Sequence, residues 1–270
     1  MGTQNWLYDT ILYMYALSLL FYFSDFIDAN RRAKRIGTGL LIFVWVLQTV
    51  FILVRVVDHF GLTSISAFEY WLGFSWLLVT ISLVISRFFK IEFVVFLVNL
   101  VGFAVLALNM YSTPGAEGGY ALPATMRELL IVHISLILCA YVALTIGSIF
   151  AGMYLFLHKQ LKSKRWSKVV RRFPSLDTIE RFSDRAIIIG VPLLALSLSV
   201  AVTVLIVENQ WELLLDWKVL SSFAVLVIYI VYVIQRAMLN RPGTQLARLH
   251  LAAFIVLILN LSTNFLSTFH

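Results

Sequence analysis

Thiols are almost missing from this chain: Cys139 is the only cysteine in 270 residues. One thiol excludes an internal disulfide, a CxxC redox pair and the paired thioethers that attach a prosthetic group covalently. Charge is scarce too, at 13% against 61% hydrophobic residues, too little to clothe a water-soluble surface. There is no Walker motif and no Gly-rich loop between strand and helix, so nothing here uses nucleotide energy. Gly2 follows Met1, but position 6 is Trp6 rather than Ser or Thr, and the myristoylation pattern fails. No basic region precedes the first apolar run and no small-residue cleavage site follows it. That run is therefore read as a retained helix.

What the chain has in quantity is apolar length. A hydrocarbon core about 30 Å thick needs roughly 20 residues of helix. Runs of that kind lie near Leu7–Ile27, Gly37–Val57, Phe68–Ser86, Ile91–Met110, Leu129–Leu157, Ala186–Val207, Val219–Met238 and Leu246–Phe269. In lipid each segment must satisfy its own backbone hydrogen bonds, which excludes an open sheet. The expected fold class is all-α: a polytopic bundle of eight transmembrane helices forming a single membrane domain over residues 1–270. Residues 1–128 make an N-terminal four-helix half and residues 129–270 make the second half.

The cations alternate between loops. Arg31, Arg32, Lys34 and Arg35 are followed by Arg87 and Lys90, then nine cations from Lys159 to Arg185, then Arg236, Arg241 and Arg248. The intervening loops hold only Arg55, Arg127 and Lys218. By the positive-inside rule both termini face outward and the basic loop 158–185 is cytoplasmic. The net charge of +7 thus reports topology next to anionic membrane lipid, with no nucleic-acid partner expected.

Arg55 sits one turn inside the outer end of its span, close to Asp58, and is expected to snorkel outward or pair locally. Thr125 and Glu128 have the spacing of a capping box before the fifth span. Gly147, Ser148, Ala151 and Gly152 give overlapping small-xxx-small patterns, which permit close helix packing. Pro174-Ser175 restarts a helix in the basic loop, and Leu176, Ile179 and Phe182 share one face. That face is either an amphipathic lead-in to the sixth span or a surface for lipid or a partner helix.

The topology sorts the five histidines. His158 and His250 belong to the inner side; His59, His133 and His270 belong to the outer side. Asn260, Asn264 and Ser267 recur at i, i+4 and i+7, a polar face expected to turn into the bundle and lead up to His270. Trp211 and Trp217 lie in the outer loop between the sixth and seventh spans. They are either interfacial anchors or a flat aromatic shelf. Two neutral imidazoles beside such a shelf suit a metalloporphyrin, whose iron accepts axial histidine nitrogens. Arg127, Lys218 or Arg55 would then meet the propionates through charge-assisted bonds. The alternative is a pair of histidines that merely end helices.

Several stretches resemble the cytochrome c assembly family of haem-handling membrane proteins, the CcsA, ResC and CcmC group. They are Val132-His133 opening a helix that ends Met153-Tyr154-Leu155; Leu176-Asp177 with Arg185 and Gly190-Val191-Pro192; Trp211 with Asp216-Trp217-Lys218; and the ending from Asn264 to His270. The family loop, richer in Trp and Gly, reads like WGxxWxWDPKE, and only its outer framework is kept here. Where large members carry a histidine in the following helix, this chain has Ile234-Gln235-Arg236.

The resemblance implies a bacterial cytoplasmic membrane protein that is not an enzyme. It would bind haem b at the outer surface, with His133 and His270 as axial ligands of the iron and with Trp211, Asp216, Trp217, Arg127 and Lys218 around it. Its role would be delivery to cytochrome c maturation proteins or sensing of haem supply. The small eight-span branch of the family implies a second role, control of glutamyl-tRNA reductase, an enzyme of tetrapyrrole synthesis. That partner would be reached through Lys162, Lys164, Arg165, Lys168, Arg171 and Arg172.

Overall fold

A computed structural model of the protein describes residues 2–28, 30–58, 67–88, 92–109, 124–164, 170–239 and 241–262. Eight α-helices account for most of them: α1 Gly2–Asp28, α2 Arg31–Asp58, α3 Ala67–Phe88, α4 Glu92–Asn109, α5 Ala124–Lys162, α6 Leu176–Val207, α7 Trp217–Ala237 and α8 Gly243–Ser262. No strand occurs among the described residues. Seven of the helices are long and apolar enough to cross a membrane; the eighth, α4, offers a shorter apolar stretch, Phe93–Asn109. Large apolar side chains such as Trp6, Tyr13, Leu20, Ile188 and Leu259 stand on the outside, as expected where the solvent is lipid. The protein is an all-helical, polytopic membrane protein.

The chain divides into two compact units, Met1–Leu122 and Pro123–His270. In the first, α1 packs on α2 and α4, and α3 packs on α2 and α4. Polar side chains lock the register. Tyr8 donates to the carbonyl of Leu106, and Tyr15 donates to Asn99 Oδ1 at 3.0 Å. The Asn99 amide donates in turn to Ser82 Oγ at 2.8 Å. Trp45 and Trp76 donate to Thr80 and Thr49 at 2.9 Å each, pairing α2 and α3 antiparallel. Gly102 is needed here, because a Cβ at that position would stand 2.6 Å from the Tyr15 hydroxyl. Arg55 holds its guanidinium 5.6 Å from the Phe51 ring centroid, a cation–π contact.

In the second unit α5 packs along α6, α6 on α7, α7 on α8 and α8 back on α5. Three of the four small residues of α5 face this core: Ser148 and Ala151 are buried, and Gly147 lies against Ala186 and His250, whereas a Cβ at Gly152 would meet nothing within 4 Å among the described residues. The basic stretch expected as a loop over 158–185 is mostly helix. α5 continues to Lys162, and α6 starts at Leu176 behind an N-cap at Ser175, whose side chain accepts from Thr178 N. Only a short connection with a 3-10 turn, Val170–Arg172, lies between. The apolar lead-in is used internally. Ile179 is fully buried, and Phe182 stacks on Phe150 with centroids 5.2 Å apart. Thr125 lies inside α5, so it does not take the cap position that its spacing to Glu128 suggested.

Candidate functional site

α5 and α6 run antiparallel in a register set by two contacts. Ser183 Oγ donates to the Gly147 carbonyl at 3.1 Å, and about four turns further along both helices Ser197 meets His133. The Ser197 carbonyl can only accept, so His133 Nδ1 carries the proton in their 2.9 Å contact. The Ser197 hydroxyl also lies 2.9 Å from Nδ1 and sends its own proton to the His133 carbonyl at 3.1 Å. Among the described residues no hydrogen bond reaches Nε2 of His133. Its lone pair is therefore the one left for a ligand. The side chain is half-buried.

α7 and α8 supply the same level of the unit. On α6 and α7, Arg236 pairs with Glu180 and Tyr232 with Asp184; carrying that register along the two helices puts Lys218 at about the height of Leu198, one residue from Ser197. Lys218 Nζ donates to the Asn260 carbonyl at 2.8 Å and to Asn260 Oδ1 at 3.3 Å. The Asn260 amide donates onward to Ser221 and Ser222 at 2.7 and 3.1 Å. The polar start of the α8 stripe does point into the bundle, as its spacing suggested; Asn264, Ser267 and His270 lie outside the described residues.

Above this layer the chain turns. Asn209 takes a left-handed φ of 54°, and Gln210 N and Asn209 N bond back to the carbonyls of Leu205 and Ile206. That closes the end of α6 with a residue that tolerates the conformation. A 3-10 turn, Trp211–Leu215, then packs against the ends of α6 and α7. Asp216 caps α7 by accepting from Lys218 N at 2.7 Å. Trp211 is 54% exposed and Trp217 69%. Both rings are open at this end of the unit, the disposition that either an interfacial anchor or a shelf requires.

A second polar layer lies near the other end of the same unit. His250 on α8 is fully buried, with Nδ1 3.2 Å from Ser183 Oγ and edge-on contacts to Tyr229 and Tyr232. Among the described residues no hydrogen bond reaches its Nε2. Tyr232 donates to Asp184 at 2.8 Å, and Arg236 bridges Glu180 and Asp184, each at 2.7 Å. Position alone had assigned His250 to the inner surface and left its burial unseen; the signal was Gly147, whose missing side chain makes room for the ring.

Of the remaining candidates, Arg127 belongs to α5, with a side chain outside the described part. Arg165 and Lys168 are also outside it, whereas Lys162, Lys164, Arg171 and Arg172 are exposed. His158 stacks on Tyr154 at 6.2 Å, and His59 is outside the described residues.

The chain matches known sequences along its length. The sequence profile of the family described as Cytochrome C assembly protein aligns with residues 6–270. Protein HemX of Brevibacillus brevis is 39% identical over 272 residues, covering 100% of this chain and 99% of the relative. Protein HemX of Bacillus subtilis (strain 168) is 34% identical over 249 residues, covering 92% of this chain and 90% of the relative. No solved structure matches. With its apolar helices and this end-to-end match, the chain is a multi-pass bacterial membrane protein that belongs to the cytochrome c assembly protein family.

Proposed function

We propose that the protein binds haem b at the extracytoplasmic end of its second unit, between His133 and His270, and holds it for cytochrome maturation or for sensing haem supply. One observation carries the reading: the Ser197 carbonyl takes the Nδ1 proton of His133. Metal-binding histidines are commonly oriented in this way, with the far nitrogen bonded to a carbonyl and the near one left as a base. When bound, haem would supply an iron that accepts histidine nitrogen and an apolar face for aromatic side chains. For this chain, His133 offers Nε2 from a fixed ring, and the exposed rings of Trp211 and Trp217 offer apolar area. Lys218 keeps one ammonium proton beyond its two bonds to Asn260, enough for a carboxylate; Arg127 is the second candidate for that role. No bond is made or broken, so the protein acts as a carrier or sensor and not as an enzyme.

The family's association with cytochrome c assembly supports the reading, because cytochromes c are haem proteins. The orientation rests on the cation distribution. Reporter fusions at Lys164 and at the C-terminus should give cytoplasmic and external signals respectively; the reverse pattern removes the outer site. Haem titrated into the purified protein should produce a six-coordinate visible spectrum that weakens as the pH falls and protons compete for Nε2. A spectrum identical to free haem in detergent contradicts the proposal.

The exposed cations Lys162, Lys164, Arg171 and Arg172 favour a second role, contact with a cytoplasmic partner such as glutamyl-tRNA reductase. Replacing the six basic residues of this connection with Gln should lower co-purification of that enzyme while leaving the haem spectrum unchanged. Normal co-purification with intact topology would remove the partner role.

A further inference from the structure

The first unit contains a cavity of about 350 Å³ that the haem reading does not use. Helices α1 to α4 all contribute to it. Lys34 and Arg87 enter from the α2 and α3 ends that carry the loop cations, and the hydroxyls of Tyr22, Thr38 and Ser86 stand beside them. Its described lining contains no carboxylate. Four cations occur within five residues at the start of α2, yet their exposures differ. Arg31, Arg32 and Arg35 are exposed, whereas Lys34 is half-buried and turned to the cavity. The hydroxyl protons are already used, since Thr38 donates to the Lys34 carbonyl at 2.9 Å, Tyr22 to Thr38 at 2.9 Å and Ser86 to the Leu83 carbonyl at 2.8 Å, which leaves the two cations as the donors for an anion. An ammonium has three donors, so Lys34 can serve a neighbour within the protein and an anion in the cavity together.

The cavity also has an apolar exit. Ile42 lines it and is itself 48% exposed. Val46 and Val50 follow at one-turn intervals on the same face of α2, at 43% and 44% exposed. The track runs about 12 Å along the helix. A free anion has no use for such a track, whereas an acyl chain does.

We propose that this cavity is a binding site for one anionic phospholipid. Its phosphodiester lies between Lys34 and Arg87, and an acyl chain runs along Ile42, Val46 and Val50. Basic pockets between transmembrane helices bind lipid headgroups by this combination of charge and depth.

The full-length protein, purified from membranes and reconstituted with equal phosphatidylglycerol and phosphatidylcholine, is examined by native mass spectrometry for retained lipid. Wild type should keep one phosphatidylglycerol. The Lys34→Gln, Arg87→Gln double variant should retain roughly tenfold less. An Arg31→Gln, Arg35→Gln variant removes the same charge from positions outside the cavity's described lining and should retain it fully. Equal losses in the two variants would reduce the effect to general surface charge and overturn the site. Val46→Gln changes only an exposed side chain, so it tests the tail track even if the double variant fails to fold; it should weaken phosphatidylglycerol retention. Displacement of the lipid by millimolar inorganic phosphate, with no effect of Val46→Gln, would show an anion site and overturn the lipid assignment.

Discussion

His133 and His250 stand about four turns apart in the same four-helix unit, and the groups around them differ in kind. His133 is half-buried and its Nδ1 is fixed by the Ser197 carbonyl; Lys218, bound to Asn260, lies at about the same height, and the open tryptophan turn lies further along, past the end of α6. His250 is fully buried, pressed against Gly147, and flanked by two tyrosines and an ion-pair cluster. One layer keeps a nitrogen accessible at the cost of a looser surround. The other ties α6, α7 and α8 together around a ring that is fully buried among the described residues. A histidine's role here follows from what surrounds it, since among the described residues each has a hydrogen bond at Nδ1 and none at Nε2.

If that contrast is right, changes in the sealed layer should act on stability and changes in the open layer on ligand binding. The largest loss of stability is expected from Arg236→Ala, which leaves Glu180 and Asp184 facing each other without a cation. An unfolding free energy lower by about 2–3 kcal/mol is expected, less than a fully sealed pair would show, because Arg236 is 39% exposed. A thermal melt in detergent measures it. Haem binding by the folded fraction should be unchanged.

Gly147→Val comes next. Even a Cβ would meet His250 Cε1 at 2.7 Å and Ala186 at 3.1 Å, so about 1–3 kcal/mol of overpacking is expected. A variant as stable as wild type would show that the ring does not lie against α5.

In the open layer, Ser197→Ala removes a hydroxyl but keeps the carbonyl that holds Nδ1. Stability should fall by about 1 kcal/mol and haem affinity by no more than about tenfold. Trp211→Ala should leave the melt within about 0.5 kcal/mol, since the ring is more than half exposed. Faster haem loss in that variant would make the turn a shelf; unchanged loss would make Trp211 an interfacial anchor only.

Much of the fold was legible in the sequence because apolar length and cation placement are one-dimensional signals. The helices, the Ser175 cap and the inward turn of Asn260 all follow from them. What was not legible depends on rotation and register between helices. Asn99 joins Tyr15 to Ser82 across three helices, a link that no spacing in the sequence reveals. Within 158–185 the helix restart after Pro174-Ser175 was legible, whereas the extension of α5 to Lys162 was not, because charge hides helix beyond the hydrocarbon layer. His133 could be placed near an outer end, but not its bond to Ser197, since that partner lies 64 residues away in sequence.

The central claim is that the accessible histidine, and not the sealed one, holds iron. The most direct measurement is the visible spectrum of haem-titrated His133→Ala beside His250→Ala, each compared with wild type at equal folded protein. The account predicts a five-coordinate or weakly loaded species for His133→Ala and a wild-type six-coordinate spectrum for His250→Ala. A wild-type spectrum from His133→Ala, or loss of the six-coordinate form in folded His250→Ala, would contradict it.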